Sequence, residues 1–145
     1  MTTTNTTPTT IITAHVNADF DALASMVAAK TLYPEAVIVA PPYREKTGIN
    51  YFLDSIAYVF NFKQPKDLDL SQVNKLVVVD TRQKSRIKHV EEVFANPGLK
   101  IHVYDHHPDS ADDVIADFSL VKTIGATTTI IAQLMQQQGI TPSPD

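Results

Sequence analysis

The chain contains no cysteine among its 145 residues. This absence excludes disulfides, cysteine-ligated zinc and iron–sulfur clusters. No apolar run approaches the roughly 20 residues that a membrane-spanning helix requires. The first ten residues, MTTTNTTPTT, have neither an apolar stretch nor a positively charged segment, so they do not resemble a signal peptide. We expect a soluble, cytoplasmic protein without a membrane partner.

The chain also lacks the excess of positive charge that is typical of a dedicated nucleic-acid-binding domain. It has 12 Lys and Arg residues against 16 Asp and Glu residues, which gives a formal net charge of −4. A local basic groove stays open, and a bound metal would add positive charge that this count omits. Hydrophobic residues make up 43% of the chain, which is enough for one globular domain with a core.

Short apolar runs alternate with helical patterns along the chain. Strands are predicted over 11–15, 36–40, 76–79 and 101–104, with weaker candidates over 114–116 and 119–121. Helices are predicted from Asp21 to Leu32, over 49–60, from Ser85 to Phe94 and over 125–138. This alternation predicts an α/β fold, with a mainly parallel sheet of about five strands flanked by helices on both faces. We expect a disordered tail over 1–10, the domain over 11–140 and a linker over 141–145.

Three of the predicted strands end in acids or imidazoles. His15, Asp19 and Asp21 follow the first strand, Asp80 follows the third, and Asp105-His106-His107 follows the fourth. The carboxyl ends of parallel strands share one edge, where open α/β sheets bind ligands. Carboxylates packed this closely need a compensating cation, and oxygen ligands mixed with imidazole suit Mn²⁺, Mg²⁺ or Fe²⁺.

The spacing of these acids favours two ions rather than one. Asp19 and Asp21 lie two residues apart, so each can serve a different ion, and Asp80 at a strand end can bridge both. Two ions roughly 3.5–4 Å apart clamp a phosphoryl centre and generate a hydroxide nucleophile. Taken alone, two of these residues also have a structural interpretation, Asp21 as a helix cap and His15 as a core histidine.

Four stretches of the sequence resemble the successive motifs of the DHH phosphoesterase superfamily. They are HVNADFDALAS (15–25), VVDTR (78–82), DHH (105–107) and GATT (125–128), and the resemblance extends over 11–140. The superfamily includes single-strand exonucleases, oligoribonucleases, cyclic-dinucleotide phosphodiesterases, family II pyrophosphatases and exopolyphosphatases. Its members use two divalent ions, commonly Mn²⁺, and Mg²⁺ stays open here.

Within the superfamily, the stretch VDTRQ followed by Ser85-Arg86-Ile87 is most similar to a bacterial multidomain group. In that group a DHH domain precedes CBS modules and a tRNA nucleotidyltransferase or poly(A) polymerase head. The resemblance therefore implies a piece of a longer protein with downstream domains.

The resemblance also implies roles for individual residues. One ion would be held by His15, Asp19 and Asp80, and the second by Asp21, Asp80 and His106. Catalytic roles fall to Asp80, to His107 at the substrate phosphate, and to Asp105, which would orient the neighbouring imidazole. Further phosphate contacts are predicted for Arg82, Arg86, Gly125 and Thr127. For these the alternatives are a solvated helix start at both arginines, and a glycine turn with a threonine cap at 125–128.

The sequence departs from the family in two respects. The family usually supplies another aspartate in a Gly-x-x-x-Asp-Thr stretch after the fourth motif, and a second, substrate-binding domain. Neither is matched before Asp145, which lies in a proline-flanked segment. We therefore expect weaker metal binding at the second position and little activity from this chain alone.

Three functional interpretations follow. The first is a two-metal phosphoesterase that hydrolyses phosphodiester or phosphoanhydride bonds in short RNA or DNA, a dinucleotide or polyphosphate. The second is a regulatory module of a tRNA nucleotidyltransferase that binds metal, nucleotide or RNA without hydrolysis. The third is a structural α/β domain with an incidental acidic crevice, which predicts no specific divalent binding. The sequence leaves the oligomeric state open, a dimer included.

Overall fold

The computed structural model of this chain describes residues 9–42, 54–55, 58–122 and 126–139. The described residues form five strands: β1 (Thr10–Thr13), β2 (Val37–Ile38), β3 (Lys75–Val79), β4 (Lys100–Asp105) and β5 (Phe118–Val121). All pair in parallel, in the order β2-β1-β3-β4-β5, which confirms the predicted α/β fold. The winding reverses between β1 and β3. The crevice outside the carboxyl ends of these two strands is therefore the expected place for a ligand.

Both faces of the sheet are buried, which explains why the strands are apolar without alternation. On β3, Val77 and Val79 belong to one hydrophobic core, whereas Leu76 and Val78 belong to a second core on the opposite face. Successive side chains of a strand point to opposite faces, so a strand between two cores needs apolar residues at every position.

The first core is covered by two helices, α1 (Phe20–Leu32) and α2 (Thr127–Gln137). Asp19 caps α1, since its Oδ1 accepts a hydrogen bond from the Ala22 amide at 2.9 Å. The interpretation of Asp21 as the cap of this helix is wrong, because α1 begins at Phe20 and the cap is the residue before it.

The second core is covered by a 3-10 segment (Lys84–Ala95), where the sequence predicted an α-helix. Its buried residues, Ile87, Val90 and Val93, recur every third position, which matches the three residues per turn of a 3-10 helix. The φ angles of −122° at Ile87 and −120° at Val90 divide the segment into short turns. Ser85 does not cap it, because the Ser85 amide donates to the Asp112 carboxylate at 3.0 Å.

Other boundaries differ from the predicted ones. β1 begins at Thr10, and β2 has two residues followed by a single bridge from Val39 to Lys63. The candidate strand 114–116 is a loop, in which Ile115 is 92% exposed. The predicted helix over 49–60 lies mostly outside the described residues, as do 1–8 and 140–145. No helix in the described part of the chain is long and apolar enough to cross a bilayer.

Candidate metal centre

The carboxyl ends of β1, β3 and β4 bring one carboxylate between two imidazoles. Asp80 Oδ2 lies 3.2 Å from His15 Nε2, and Asp80 Oδ1 lies 3.0 Å from His106 Nε2. Asp80 is 1% exposed and His15 is 5% exposed. Each carboxylate oxygen therefore faces a different imidazole, which is the arrangement that a bridging ligand requires.

The backbone at Asp80 has an unusual conformation. Its φ angle is 63°, in the left-handed region that Asp and Asn enter more readily than other non-glycine residues. The Asp80 amide donates to the Tyr104 carbonyl at 2.8 Å, so β4 fixes this turn. Tyr104 itself is buried in the core. Such backbone strain clusters at functional sites.

Two sets of three side chains have ligand atoms close enough to share an ion. His15, Asp19 and Asp80 form one set, and Asp80, His106 and His107 form the other, with the atoms of each set within 4.8 Å of one another. Mixed carboxylate and imidazole donors are those that Mn²⁺ and related divalent cations accept. The described residues therefore fit divalent metal binding, and Asp80 belongs to both sets.

Asp21 is bound to the N-terminus of α2. Its Oδ1 accepts hydrogen bonds from the Thr128 amide at 3.1 Å and the Thr128 hydroxyl at 2.6 Å, and its Oδ2 accepts from the Thr127 amide at 3.2 Å. Burial raises the pKa of Asp21, but the hydrogen bonds from Thr128 outweigh burial and lower this pKa below its ordinary value. Asp21 Oδ2 also lies 3.7 Å from His106 Nε2, beside the second set.

Thr127 contacts carboxylates and not solvent. Its buried hydroxyl donates to Asp80 Oδ1 at 3.1 Å, while its amide donates to Asp21. The phosphate contact at Thr127 stays a prediction, and the structure shows that carboxylates already accept from its amide and hydroxyl at this helix N-terminus. Gly125, the other residue predicted there, lies outside the described residues. In the sequence, the two threonine hydroxyls of GATT (125–128) were the feature that could have indicated these hydrogen bonds to carboxylates.

Asp105 supports His107 rather than His106. Asp105 is buried at the end of β4, and its Oδ1 lies 2.6 Å from His107 Nδ1. The same oxygen accepts from the His106 and His107 amides at 2.8 and 3.3 Å. The His107 side chain is 45% exposed, and Nε2 is its ring nitrogen outside this hydrogen bond. An imidazole held in this way has a fixed tautomer and is suited to proton transfer or phosphate contact.

Arg82 ties together the loops that follow β3 and β4. Its Nε donates to Asp105 Oδ2 at 3.0 Å, its Nη1 to Asp109 Oδ1 at 2.8 Å, and its Nη2 to the His107 carbonyl at 2.7 Å. Burial lowers the pKa of Arg82, but the hydrogen bonds to Asp109 and Asp105 raise it on balance. The phosphate contact of Arg82 stays a prediction, and the guanidinium already pairs with the carboxylates of Asp105 and Asp109. Sequence reasoning missed this tie, for which the acidic loop 109–113 was the available signal.

Arg86 lies beside His15. His15 Nδ1 is 3.0 Å from Arg86 Nη2 and 2.9 Å from the Val16 carbonyl oxygen. Burial lowers the pKa of His15, yet the hydrogen bonds to Asp80 and to the Val16 carbonyl, with the Asp80 charge, together raise it above its ordinary value. Arg86 also lines a cavity of about 290 Å³, together with Arg82 and His107.

A family model described as "DHH family, N-terminal domain" matches residues 9–144. An A-adding tRNA nucleotidyltransferase of Geobacter sulfurreducens is 42% identical over 130 residues, which are 90% of this chain and 15% of that protein. The A-adding tRNA nucleotidyltransferase of Aquifex aeolicus is 29% identical over 133 residues, covering 88% of this chain and 14% of that protein. The chain thus spans a small part of the curated relatives that it matches.

The fold also matches a solved structure. The crystal structure of an exopolyphosphatase-related protein from Bacteroides fragilis has a TM-score of 0.68 and 18% identity to this chain. The match covers 92% of this chain and 40% of that chain. At this level of identity the likeness shows a shared fold.

Proposed function

Because this chain belongs to the DHH family, we propose that its strand ends form the metal site of a phosphoesterase domain that cleaves phosphodiester or phosphoanhydride bonds. The observation that carries the proposal is the position of buried Asp80, with His15 on one oxygen and His106 on the other. Two divalent ions bound there would stabilise charge on the phosphoryl oxygens and activate water. We propose Mn²⁺, because the donors mix carboxylates with imidazoles.

The chain's own residues have distinct parts in this proposal. His15, Asp19 and Asp80 hold the first ion. Asp80 and His106 hold the second, with Asp21 beside them at 3.7 Å from His106 Nε2. Thr127 and Thr128 keep the two carboxylates in place through their hydroxyls. These hydrogen bonds pre-orient the ligands, which is how groups outside the ligand set strengthen metal binding.

His107 is the proposed contact to the substrate phosphate. The Asp105 carboxylate accepts from Nδ1, so the half-exposed Nε2 side faces the incoming group. In this position the imidazole is suited to binding a phosphoryl oxygen or passing a proton to the leaving group. Asp105 acts through His107 and is a positioning residue.

The first test is a calorimetric titration of the chain with Mn²⁺, beside Asp80→Asn. Asparagine keeps the side-chain volume and also tolerates the φ of 63°, which alanine does not. We expect saturable binding by the wild-type chain and a loss of at least about tenfold in affinity for Asp80→Asn. Asp69→Asn is the matched control, because Asp69 is exposed and precedes β3 at the opposite edge of the sheet. Equal affinity in the wild-type chain and Asp80→Asn would contradict the proposal.

The second test concerns hydrolysis, and it uses a longer protein that carries this domain. With Mn²⁺ it should hydrolyse short RNA or DNA, a dinucleotide or polyphosphate, and Asp80→Asn should abolish that activity. A panel of these substrates identifies the substrate class. Absence of hydrolysis of every substrate, despite Mn²⁺ binding, would contradict the phosphoesterase proposal.

A second candidate function is a non-hydrolytic module that binds metal and RNA or nucleotide beside a nucleotidyltransferase. It is favoured by the relatives named A-adding tRNA nucleotidyltransferase, of which this chain matches only 15% and 14%. In this case the longer protein binds Mn²⁺ at Asp80 without hydrolysing any substrate of the panel. Asp80→Asn then reduces its nucleotide addition to tRNA, which a gel assay of tRNA extension measures.

A further inference from the structure

We propose that Arg86 is the arginine of this site that binds a phosphate group, and that a metal ion on His15 releases it for this role. The inference rests on the proposed function, since it needs His15 to be a metal ligand. It deepens that function by assigning one phosphate contact and an order of binding, in which the metal precedes the phosphate.

The two arginines beside the site differ in their partners. The Arg82 side chain is 11% exposed, and its three guanidinium nitrogens all donate, Nε to Asp105 at the end of β4 and the other two to Asp109 and the His107 carbonyl in the loop that follows. Arg86 has one side-chain hydrogen-bond contact within the described part of the chain, to His15 Nδ1 at 3.0 Å. Its guanidinium has no carboxylate partner there. Arg86 therefore keeps donors for an anion, and Arg82 has far fewer.

His15 Nδ1 has two contacts that require opposite proton positions. The Val16 carbonyl at 2.9 Å accepts only from a protonated Nδ1, whereas Arg86 Nη2 at 3.0 Å donates only to an unprotonated Nδ1. One of these contacts is a hydrogen bond at any time. Without metal, the neutral ring with its proton on Nε2 donates to Asp80 and accepts from Arg86.

With a metal ion on Nε2, the hydrogen bond of His15 Nδ1 would be to the Val16 carbonyl and no longer to Arg86. The neutral ring then carries its proton on Nδ1, and the proton points to the Val16 carbonyl. The Arg86 donor would face another N–H at 3.0 Å, with a cation on the far side of the ring. The facing N–H and the charge of the cation both disfavour the guanidinium position beside His15 Nδ1. The ring changes tautomer and its net charge is unchanged.

The cavity of about 290 Å³ gives the released guanidinium a place to bind. Arg86 and His107 both line this cavity. A phosphate there would receive charge-assisted hydrogen bonds from the Arg86 fork and would lie within reach of His107. Metal occupancy and phosphate binding are therefore coupled through His15, and each favours the other.

The test measures binding of adenosine 5′-monophosphate by the full chain, with and without Mn²⁺, in wild type, Arg86→Gln and Lys88→Gln. Lys88 lies on the same 3-10 segment and is exposed, so its loss changes the net charge equally. In the presence of Mn²⁺ we expect Arg86→Gln to weaken nucleotide binding about tenfold or more, and Lys88→Gln to change it less than about twofold. The Mn²⁺ affinity of Arg86→Gln should equal or exceed that of wild type, because an unfavourable contact is removed.

A nitrogen-15 NMR spectrum of the histidines reports the tautomer directly. Zn²⁺ replaces Mn²⁺ because it is diamagnetic. We expect the His15 proton on Nε2 without metal and on Nδ1 with Zn²⁺. An unchanged tautomer, unchanged nucleotide affinity in Arg86→Gln, or weaker Mn²⁺ binding in Arg86→Gln would each overturn the inference. Absence of Mn²⁺ binding by the wild-type chain would instead overturn the proposed function.

Discussion

Two hydroxyl-bearing residues hold the two aspartates that face His106. Thr127 donates to Asp80, and Thr128 donates to Asp21, across sequence separations of 47 and 107 residues. The Thr127 hydroxyl fixes one oxygen of Asp80, and Asp21 is held at both oxygens, by Thr128 and by the Thr127 amide. Carboxylates held in this way lose less conformational entropy when a metal binds.

Replacing Thr127 by valine should weaken metal binding with little change in shape. Valine has nearly the same volume and lacks the hydroxyl that donates to Asp80 Oδ1. We expect Mn²⁺ affinity to fall about tenfold, in line with other groups that support a metal ligand. The measurement is calorimetric titration, with Thr127→Ser as the matched control that keeps the hydroxyl. Similar affinities for the serine and valine variants would refute this role of the hydroxyl.

At the scale of elements, α1 and α2 each donate amide hydrogen bonds from the N-terminus to an aspartate of the candidate site. Asp19 accepts from the Ala22 amide at the start of α1, and Asp21 accepts from the first amides of α2. A helix N-terminus carries partial positive charge, so it stabilises a carboxylate placed there. The sheet edge and the two helix ends thus gather the acids that the proposed cations need.

Substitutions at Asp19 can separate its role as a helix cap from its proposed role as a metal ligand. Asparagine caps a helix about as well as aspartate, while alanine at this position costs about 1 kcal/mol of stability. We therefore expect Asp19→Asn to leave the unfolding free energy within about 0.5 kcal/mol and to weaken Mn²⁺ binding strongly. Asp19→Ala should lower both the unfolding free energy and the Mn²⁺ affinity. Urea unfolding and metal titration of the same samples measure the two effects, and unchanged Mn²⁺ affinity in Asp19→Asn would contradict the ligand role.

At the scale of the whole molecule, a partly buried histidine links stability to pH. His89 Nε2 lies 2.8 Å from the Thr13 hydroxyl, which itself donates to the Val39 carbonyl, so Nε2 carries the proton. Nδ1 is buried with no hydrogen-bond partner among the described residues. Burial, followed by repulsion from His15, lowers the pKa of His89 to about 4. The folded protein thus keeps this ring neutral at pH values where the unfolded chain protonates it.

The free energy of unfolding should fall as the pH drops from 6.5 to about 4. In this window the unfolded state binds more protons at His89 than the folded state, and the contribution is about 2 kcal/mol. His89→Gln keeps a donor to Thr13 and cannot titrate, so its stability should fall less. Urea unfolding at several pH values compares the two slopes. Equal slopes would show that His89 does not cause the effect.

The stability contribution of His15 depends on pH in the opposite direction to that of His89. Burial lowers the pKa of His15, but this pKa is raised on balance because the hydrogen bonds to Asp80 and Val16 and the Asp80 charge together outweigh burial. The stability that this pair contributes is present below the ordinary pKa of histidine and is lost as the pH rises through the raised value. The two histidines therefore affect stability on different sides of pH 6.5.

The α/β fold and the order of the strands along the chain follow from the amino-acid sequence alone. Apolar runs such as 76–79 and 101–104 identified the strands, and the acids and imidazoles that follow them identified the edge of the sheet that carries the candidate site. These features follow from local periodicity and from the shared edge of parallel strands. The same pattern misassigned the 3-10 segment, because residues spaced by three also fit one face of an α-helix.

Only the tertiary structure decided the partner of each polar group. Asp21, for which a cap of α1 was the structural alternative to a metal ligand, binds the amides of α2. Arg82, a predicted phosphate contact, pairs with Asp105 and Asp109. Arg86, predicted in the same way, lies against His15. These pairings join residues far apart in the chain, and they depend on ångström-scale distances between elements. Sequence spacing carries no information on such distances, because they are set by how the helices and loops pack on the finished sheet.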